Sequence, residues 1–241
     1  MDQPVPGTRL LVESIPAAGS VCRIEGDEAA HARARRLTAG DAVILVDGSG
    51  REGHGRVTSV ARAAVEVAVD AVRAAAEEAH GPIHLLVAAV RAERLSWVAE
   101  KATELGAARL TLVASERTQR FRANEGLVPR LSRVVREAAK QAERASWPAI
   151  AGPLPLADAL RAEAAGARLI LDPSGEPFPA TLPDGPTALL VGPEGGWTDT
   201  ELQAALASGW VAASLAAGKL RAETAAVAAL TLARAALARG A

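Results

Sequence analysis

The chain has 241 residues, 49% hydrophobic and 23% charged, with a formal net charge of -1. That length and composition allow one large or two small domains, can fill a core, and predict a soluble globular protein. The single cysteine, Cys22, excludes an internal disulfide and a thiolate metal cluster. His31, His54, His80 and His84 show no ligand spacing, so no metal is expected. The N-terminus lacks a basic segment followed by an apolar run, and no stretch of about 20 residues is apolar and uncharged throughout. A cytoplasmic protein is the expectation.

Short β-branched runs open the chain at 9–12, 21–24, 42–46, 55–60 and 64–69, punctuated by Gly19, Gly26, Gly40-Asp41 and Asp47-Gly48-Ser49-Gly50. This spacing predicts a small barrel over residues 1–75. A helix from Asp27 to Leu37 interrupts the strands and carries His31, Arg33, Arg35 and Arg36. Read alone, that cluster is a solvated face, with RNA contact as the alternative. The Ala/Glu-rich segment from Ala71 to Gly81 ends in Gly81-Pro82 and reads as a hinge.

Beyond it the hydrophobic period changes. A strand at Ile83–Val90, a helix from Ala92 to Leu105 closed by Gly106, and a strand at Arg109–Val113 alternate, which implies a parallel sheet in a second domain over residues 80–241. From Arg117 to Arg144 eight basic residues (Arg117, Arg120, Arg122, Arg130, Arg133, Arg136, Lys140, Arg144) stand against three acids (Glu125, Glu137, Glu143). The overall charge therefore does not exclude an RNA partner, because patches rather than totals bind phosphate. A helix from Leu127 to Arg144 puts Leu131, Val134, Val135, Ala138 and Ala142 on one face, with Arg133, Arg136, Lys140 and Arg144 climbing the other. Ala167–Asp172 is a further strand whose last carboxylate emerges at its end, just before Pro173.

Two strand-to-helix junctions then follow closely. The strand Thr187–Val191 passes through Gly192-Pro193-Glu194-Gly195-Gly196-Trp197 into a helix opened by Thr198-Asp199-Thr200-Glu201, a capping box. A second run from Trp210 to Leu215 leads through Ala216-Ala217-Gly218-Lys219-Leu220-Arg221-Ala222-Glu223-Thr224-Ala225 into a long Ala/Leu helix. In a parallel sheet ligands bind outside the carboxyl ends of strands, where loops meet helix N-termini. No Gly-x-Gly-x-x-Gly follows a strand, which disfavours a Rossmann-type nucleotide site.

The Gly-Pro-Glu-Gly-Gly turn alone would be an ordinary tight turn. Together with the capping box, the short strand and the Leu-Arg-x-Glu-Thr-Ala helix start, it closely resembles the C-terminal half of the RsmE family. These are SPOUT-class enzymes that methylate uridine N3 in small-subunit (16S) ribosomal RNA. The resemblance continues through His31, Arg36-Leu37, Gly40-Asp41, Asp47-Gly48, the run Glu100 to Gly106, Ser115-Glu116-Arg117 and the run Arg136 to Gln141, nearly the whole chain. It departs at Ala32-Arg33-Ala34, where the family has hydrophobic residues, at Arg91, near which the family commonly has Lys, and at Ala216, where Gly is frequent. What it implies is a PUA-like RNA-binding β-barrel followed by a SPOUT-type α/β trefoil-knot domain. A homodimer is implied through that second domain, with S-adenosylmethionine bent among the knot loops.

On that resemblance the cofactor would contact Leu171, Asp172, Val191, Gly192, Pro193, Glu194, Gly195, Gly196, Leu215, Ala216, Leu220, Arg221, Thr224 and Ala225. RNA would meet His31, Arg33, Arg36, Arg91, Arg117, Arg133, Arg136 and Lys140, chiefly through phosphate. Uridine N3 carries a proton at neutral pH and must lose it to attack a methyl group. Arg221 would donate to the neighbouring carbonyl oxygen through its planar fork, and Glu223 or Glu116 would take the proton, provided burial favours its protonated form. Glu223 also reads as an ordinary helix-start acid favoured by the dipole. Two alternatives remain: a related SPOUT enzyme acting on another RNA or on ribose 2′-OH, and a non-catalytic RNA-binding or ribosome assembly factor.

Overall fold

Alternation of buried and exposed side chains, seen most regularly along β2 (Val21–Glu25), builds the first sheet. Its other strands are β1 (Thr8–Leu11), β3 (Ala42–Val46), β4 (Arg51–Val60) and β5 (Ala64–Ala74), in the order β1-β3-β4-β5-β2. Only β1 with β3 is a parallel pair. The computed structural model describes residues 7–75, 81–88, 91–118, 126–216 and 218–240. The inward faces join Leu10, Val43, Leu45, Val57, Val65 and Val67 in one core. Helix α1 (Gly26–Ala34) buries Ala29 and Ala32 and packs on β1, β2 and β5, giving a curled sheet with a helix against it.

The helix ends three residues before the predicted Leu37, for a local reason. Arg36 adopts φ 58°, with its N–H on the Arg33 carbonyl and the Leu37 N–H on that of Ala32. This is a Schellman ending made without glycine. Glu28 on the same helix accepts from the Leu11 N–H and pairs with Lys140. Residues 139–146 pack within this first unit, although more than 60 residues separate them from its strands.

The second unit is a six-stranded sheet, parallel throughout: β6 (Ile83–Ala88), β7 (Ala107–Ala114), β8 (Ala149–Pro155), β9 (Ala167–Pro177), β10 (Thr187–Val191) and β11 (Val211–Ser214). The strand order is β11-β9-β10-β6-β7-β8. All five residues of β10 are buried, Leu189 and Val191 facing one core, Ala188 and Leu190 the other. Such a continuous apolar run is what a strand covered on both faces requires. One face carries α2 (Ala92–Glu104), α3 (Leu127–Gln141) and α6 (Ala222–Gly240); the other carries α4 (Leu156–Ala162) and α5 (Asp199–Ala207). Alanines at 222, 226, 229, 233 and 236 form the buried stripe of α6. On the same helix, Arg234 donates to the carbonyls of Leu105, Gly106 and Gly81, satisfying the end of α2.

Several elements differ from the sequence reading. The predicted helix 127–144 stops at Gln141, where Glu143 adopts φ 53°; Ala142, placed on the apolar face from sequence, is exposed, and Ala139 is buried. The segment read as a hinge from Ala71 is the end of β5 as far as Ala74. β8 and α4 were not foreseen: Pro148, Gly152, Pro153 and Pro155 disguise a strand that tolerates them at the sheet edge. Positions 89 and 90, added to β6 from sequence, lie outside the described residues, as do Arg120, Arg122 and Glu125 of the basic stretch. No helix among the described residues is long and apolar enough to cross a membrane, and no described cluster of His, Cys, Asp or Glu could hold a metal.

At the amino end of β6, His84 bridges two elements. Its Nδ1 meets the Glu163 carboxylate at the end of α4, and its Nε2 lies 2.8 Å from the Thr111 hydroxyl on β7. A carboxylate only accepts, so Nδ1 carries a hydrogen. Burial pushes the Glu163 carboxyl up, but the hydrogen bond and charge of His84 and the Ala165 N–H outweigh it and hold the group below its ordinary 4.5. A depressed carboxyl stabilises the fold above its unfolded value and loses that contribution as pH falls through the folded one. Urea unfolding across a pH series should therefore show wild-type stability falling more steeply below 4.5 than that of Glu163→Gln. Parallel curves would remove this latch from the account of acid stability.

Candidate active site

Three consecutive parallel strands, β10, β9 and β11, deliver their carboxyl ends side by side. After β10 the chain turns at once, with the Gly196 N–H on the Pro193 carbonyl at 2.8 Å. Gly196 adopts φ 75°, which a side chain disfavours. Trp197 then folds back, its indole N–H reaching the Leu171 carbonyl at 3.1 Å. A Cβ on Gly192 would stand 3.0 Å from that indole, so the ring lies directly on the turn's backbone. The predicted capping box is present: Thr198 accepts from the Glu201 N–H, and Glu201 from the Thr198 N–H. Buried Glu201 also accepts from the Glu116 N–H at 2.7 Å, tying this junction to the 3-10 turn Glu116–Thr118 after β7.

The end of β9 opens in a different way. Its register with β11 jumps from Ile170↔Ala212 to Glu176↔Ala213, so residues 171–175 arch out of the ladder. Within the arch Asp172 accepts from the Ser174 N–H and hydroxyl at 2.9 and 2.6 Å. This is the turn-forming role of an Asp.

Between these bends lies a mainly apolar, half-open cleft of about 570 Å³ with its open mouth included. Of the residues predicted for a cofactor, Leu171, Asp172, Val191, Gly192, Pro193, Gly196, Leu215, Ala216, Leu220 and Ala225 line it. Sequence reasoning missed Pro173, Ala213, Ser214, Gly218, Lys219 and Ala222; the strand-end rule that pointed to their neighbours would have included them. At Gly218 a Cβ would meet no protein atom within 4 Å. Apolar walls with a few polar groups at the strand ends fit a nucleoside-sized ligand, and S-adenosylmethionine, an adenosine bearing a charged amino-acid arm on a sulfonium, is one.

A second, charged cavity shares Lys219 and Leu220 with the first and is completed by Arg94, Glu194 and Arg221. Glu194 and Arg221 thus stand on this wall rather than the first. Gly195 and Thr224 line neither cavity; Gly195 instead offers its carbonyl to the Arg117 guanidinium. Arg94, in the first turn of α2, was not singled out from sequence, although it stands one helical turn beyond Arg91. It pairs with Glu194 through Nη1 and lies 3.6 Å from Glu223 through Nε. Glu223, in the first turn of α6, lines neither cavity but stands behind Arg94, its side chain 16% exposed and its Oε2 buried without a hydrogen-bond partner among the described residues. An unsatisfied carboxylate oxygen of this kind costs roughly 1–3 kcal/mol or more. The Glu116 side chain is exposed and lines neither cavity.

The basic candidates are spread over the chain. On the first unit Arg36 is exposed, while His31 and Arg33 are half-buried, the latter reaching the Ala61 carbonyl. Arg91, Arg117, Arg133 and Arg136 are exposed, with the Arg136 guanidinium 5.9 Å over the Trp147 ring. Lys140 is half-buried against Glu28.

Comparison with known proteins gives one consistent result. The profile of the RNA methyltransferase domain matches residues 77–234, and that of the RNA methyltransferase PUA domain matches residues 24–70. The chain is 34% identical over 232 residues to ribosomal RNA small subunit methyltransferase E of Mycobacterium bovis, covering 91% of this chain and 88% of that protein. It is 30% identical over 207 residues to the enzyme of the same name from Synechocystis, covering 82% and 67%. Among solved structures, a candidate methyltransferase from Legionella pneumophila with bound SAM superposes at a TM-score of 0.82, with 26% identity over 95% of this chain and 97% of that one. A candidate rRNA methyltransferase from Porphyromonas gingivalis reaches 0.85, with 27% identity over 96% and 99%. With a domain profile matched over most of its length and relatives of this identity and coverage, the chain belongs to the ribosomal RNA small subunit methyltransferase E family.

Proposed function

We propose that the protein transfers a methyl group from S-adenosylmethionine to N3 of a uridine in 16S ribosomal RNA. The observation that carries the reading is the pair of abutting cavities, one apolar and strand-end bound, the other charged, with Lys219 and Leu220 as common wall. When bound, the cofactor supplies an electrophilic methyl group on a sulfonium. The residues of the first cavity would hold it, and at Gly218, an exposed lining residue, a Cβ would meet no protein atom within 4 Å. In the second, Arg221 donates to a carbonyl oxygen of the uracil and favours the form that has lost its N3 proton. Positioning a base against a donor in this way supplies most of what an in-line displacement needs.

The RNA strand would be held by phosphate contacts from His31, Arg33, Arg36, Arg91, Arg117, Arg133 and Arg136, with Lys140 contributing from beside Glu28. We assign RNA binding chiefly to a PUA-like module over about residues 1–75 and catalysis to about 80–241, working in the cytoplasm. The resemblance implies a homodimer, for which Trp97, 41% exposed on α2, offers apolar surface. Nucleoside mass spectrometry of 16S ribosomal RNA from cells with and without the protein tests the reaction. Loss of 3-methyluridine is expected; its persistence rejects the assignment.

Two variants separate the cavities. Gly218→Leu should weaken calorimetric uptake of S-adenosylmethionine by at least about tenfold while changing stability by under about 1 kcal/mol. Unchanged uptake would mean that the cofactor lies elsewhere. Arg221→Ala should bind the cofactor within about threefold of wild type yet lose roughly 100- to 1,000-fold in turnover. Retained turnover would remove Arg221 from the chemistry.

A further inference from the structure

The charged cavity holds an arginine shared unequally by two carboxylates. Arg94 is 28% exposed; Glu223 behind it is 16% exposed, whereas Glu194 in front is 53% exposed. An exposed ion pair is weak and readily exchanged, while a pair withdrawn from water persists. Glu223 therefore faces the Nε side of the guanidinium as a half-buried countercharge at 3.6 Å, and the Nη1 side is free to exchange Glu194 for another acceptor. Among the described residues Glu194 is the single carboxylate on this wall, facing three cations, Arg94, Lys219 and Arg221.

We infer that Arg94 is a second catalytic guanidinium of the acceptor cavity, that Glu223 is the residue that positions it, and that Glu194 receives the proton. The inference rests on the methyltransferase reading above. As the uracil enters, one of its carbonyl oxygens takes the Nη1 hydrogen bond, and Glu194 is released beside the base. The N3–H proton passes to the Glu194 carboxylate. The electron pair left on N3 forms the new bond to the methyl carbon, and the electrons of the sulfur–methyl bond return to sulfur as a neutral thioether. Half-exposed Glu194 then gives its proton to water. The fork geometry of an arginine matters here, since one edge must stay on Glu223 while another serves the base.

Kinetics with purified small-subunit ribosomal RNA and calorimetry with S-adenosylmethionine test this in wild type, Arg94→Met, Arg94→Lys, Glu223→Gln and the Arg94→Met/Glu223→Gln pair. Arg94→Met should lower kcat by at least about 100-fold with KM for RNA and Kd for the cofactor within about threefold. Arg94→Lys should recover part of that loss. Glu223→Gln should lower kcat about tenfold, and the double variant should be no slower than Arg94→Met alone, because the anchor acts only through the arginine. Losses that multiply in the double variant, a kcat within about threefold of wild type for Arg94→Met, or a parallel fall in cofactor affinity would each overturn the assignment. Absence of 3-methyluridine with the wild-type protein would instead overturn the reaction on which it rests.

Discussion

A sheet whose strands all run one way sends every carboxyl end to the same edge, and the site depends on that constraint. Three strands arrive there as neighbours because β10 is inserted between β9 and β6, both formed earlier in the chain, with β11 added outside β9. Burial on both faces fixes β10 in its slot, since a slip of one residue would exchange its two core faces. The bend after it is then held by three fastenings of different kinds: the Trp197 indole on Leu171, the capping box, and Glu201 on the Glu116 N–H. None of these groups needs to touch a ligand.

Electrostatics divides the two cavities as sharply as topology joins them. The first is walled mostly by Leu, Val, Ala, Pro and Gly, with Ser214 and Lys219 beside them and Asp172 committed to its own turn. The second gathers charge, and its arrangement is asymmetric: a withdrawn carboxylate on one side of Arg94 and a half-exposed one on the other. The price of the withdrawn partner is an oxygen with no hydrogen bond among the described residues. Natural structures keep few such groups, and here it accompanies the fixing of a guanidinium at the wall of a cavity.

The parts of this architecture written in short-range pattern were legible in the sequence. β10 and the capping box at Thr198 announce themselves because a buried run and a helix start obey local rules. So does the strand-helix-strand alternation that gives a parallel sheet. β8 was hidden by its prolines, which an edge position excuses. The early ends of α1 and α3 were invisible for another reason: Arg36 and Glu143 take positive φ without being glycine, so composition gives no warning. Within the site, residues next to a strand end could be listed from sequence, but which cavity each would face could not. Glu194 and Arg221 moved to the charged wall, Glu223 stood behind it, and Arg94 entered from a helix about 100 residues earlier in the chain.

The discontinuity of the first unit bears on how the protein is made. Its five strands are contained in the first 75 residues, yet the stretch 139–146 also belongs to it, with Lys140 on Glu28, the Gly50 N–H on the Ala145 carbonyl and a bridge from Gly48 to Ser146. A nascent chain leaving the ribosome must therefore wait for more than 60 further residues before that unit can close, a delay of roughly 3–13 s at ordinary elongation rates. During the interval the acidic side of Glu28 faces water or a helper protein instead of its lysine. Vectorial synthesis thus couples completion of the amino-terminal unit to emergence of residues 139–146.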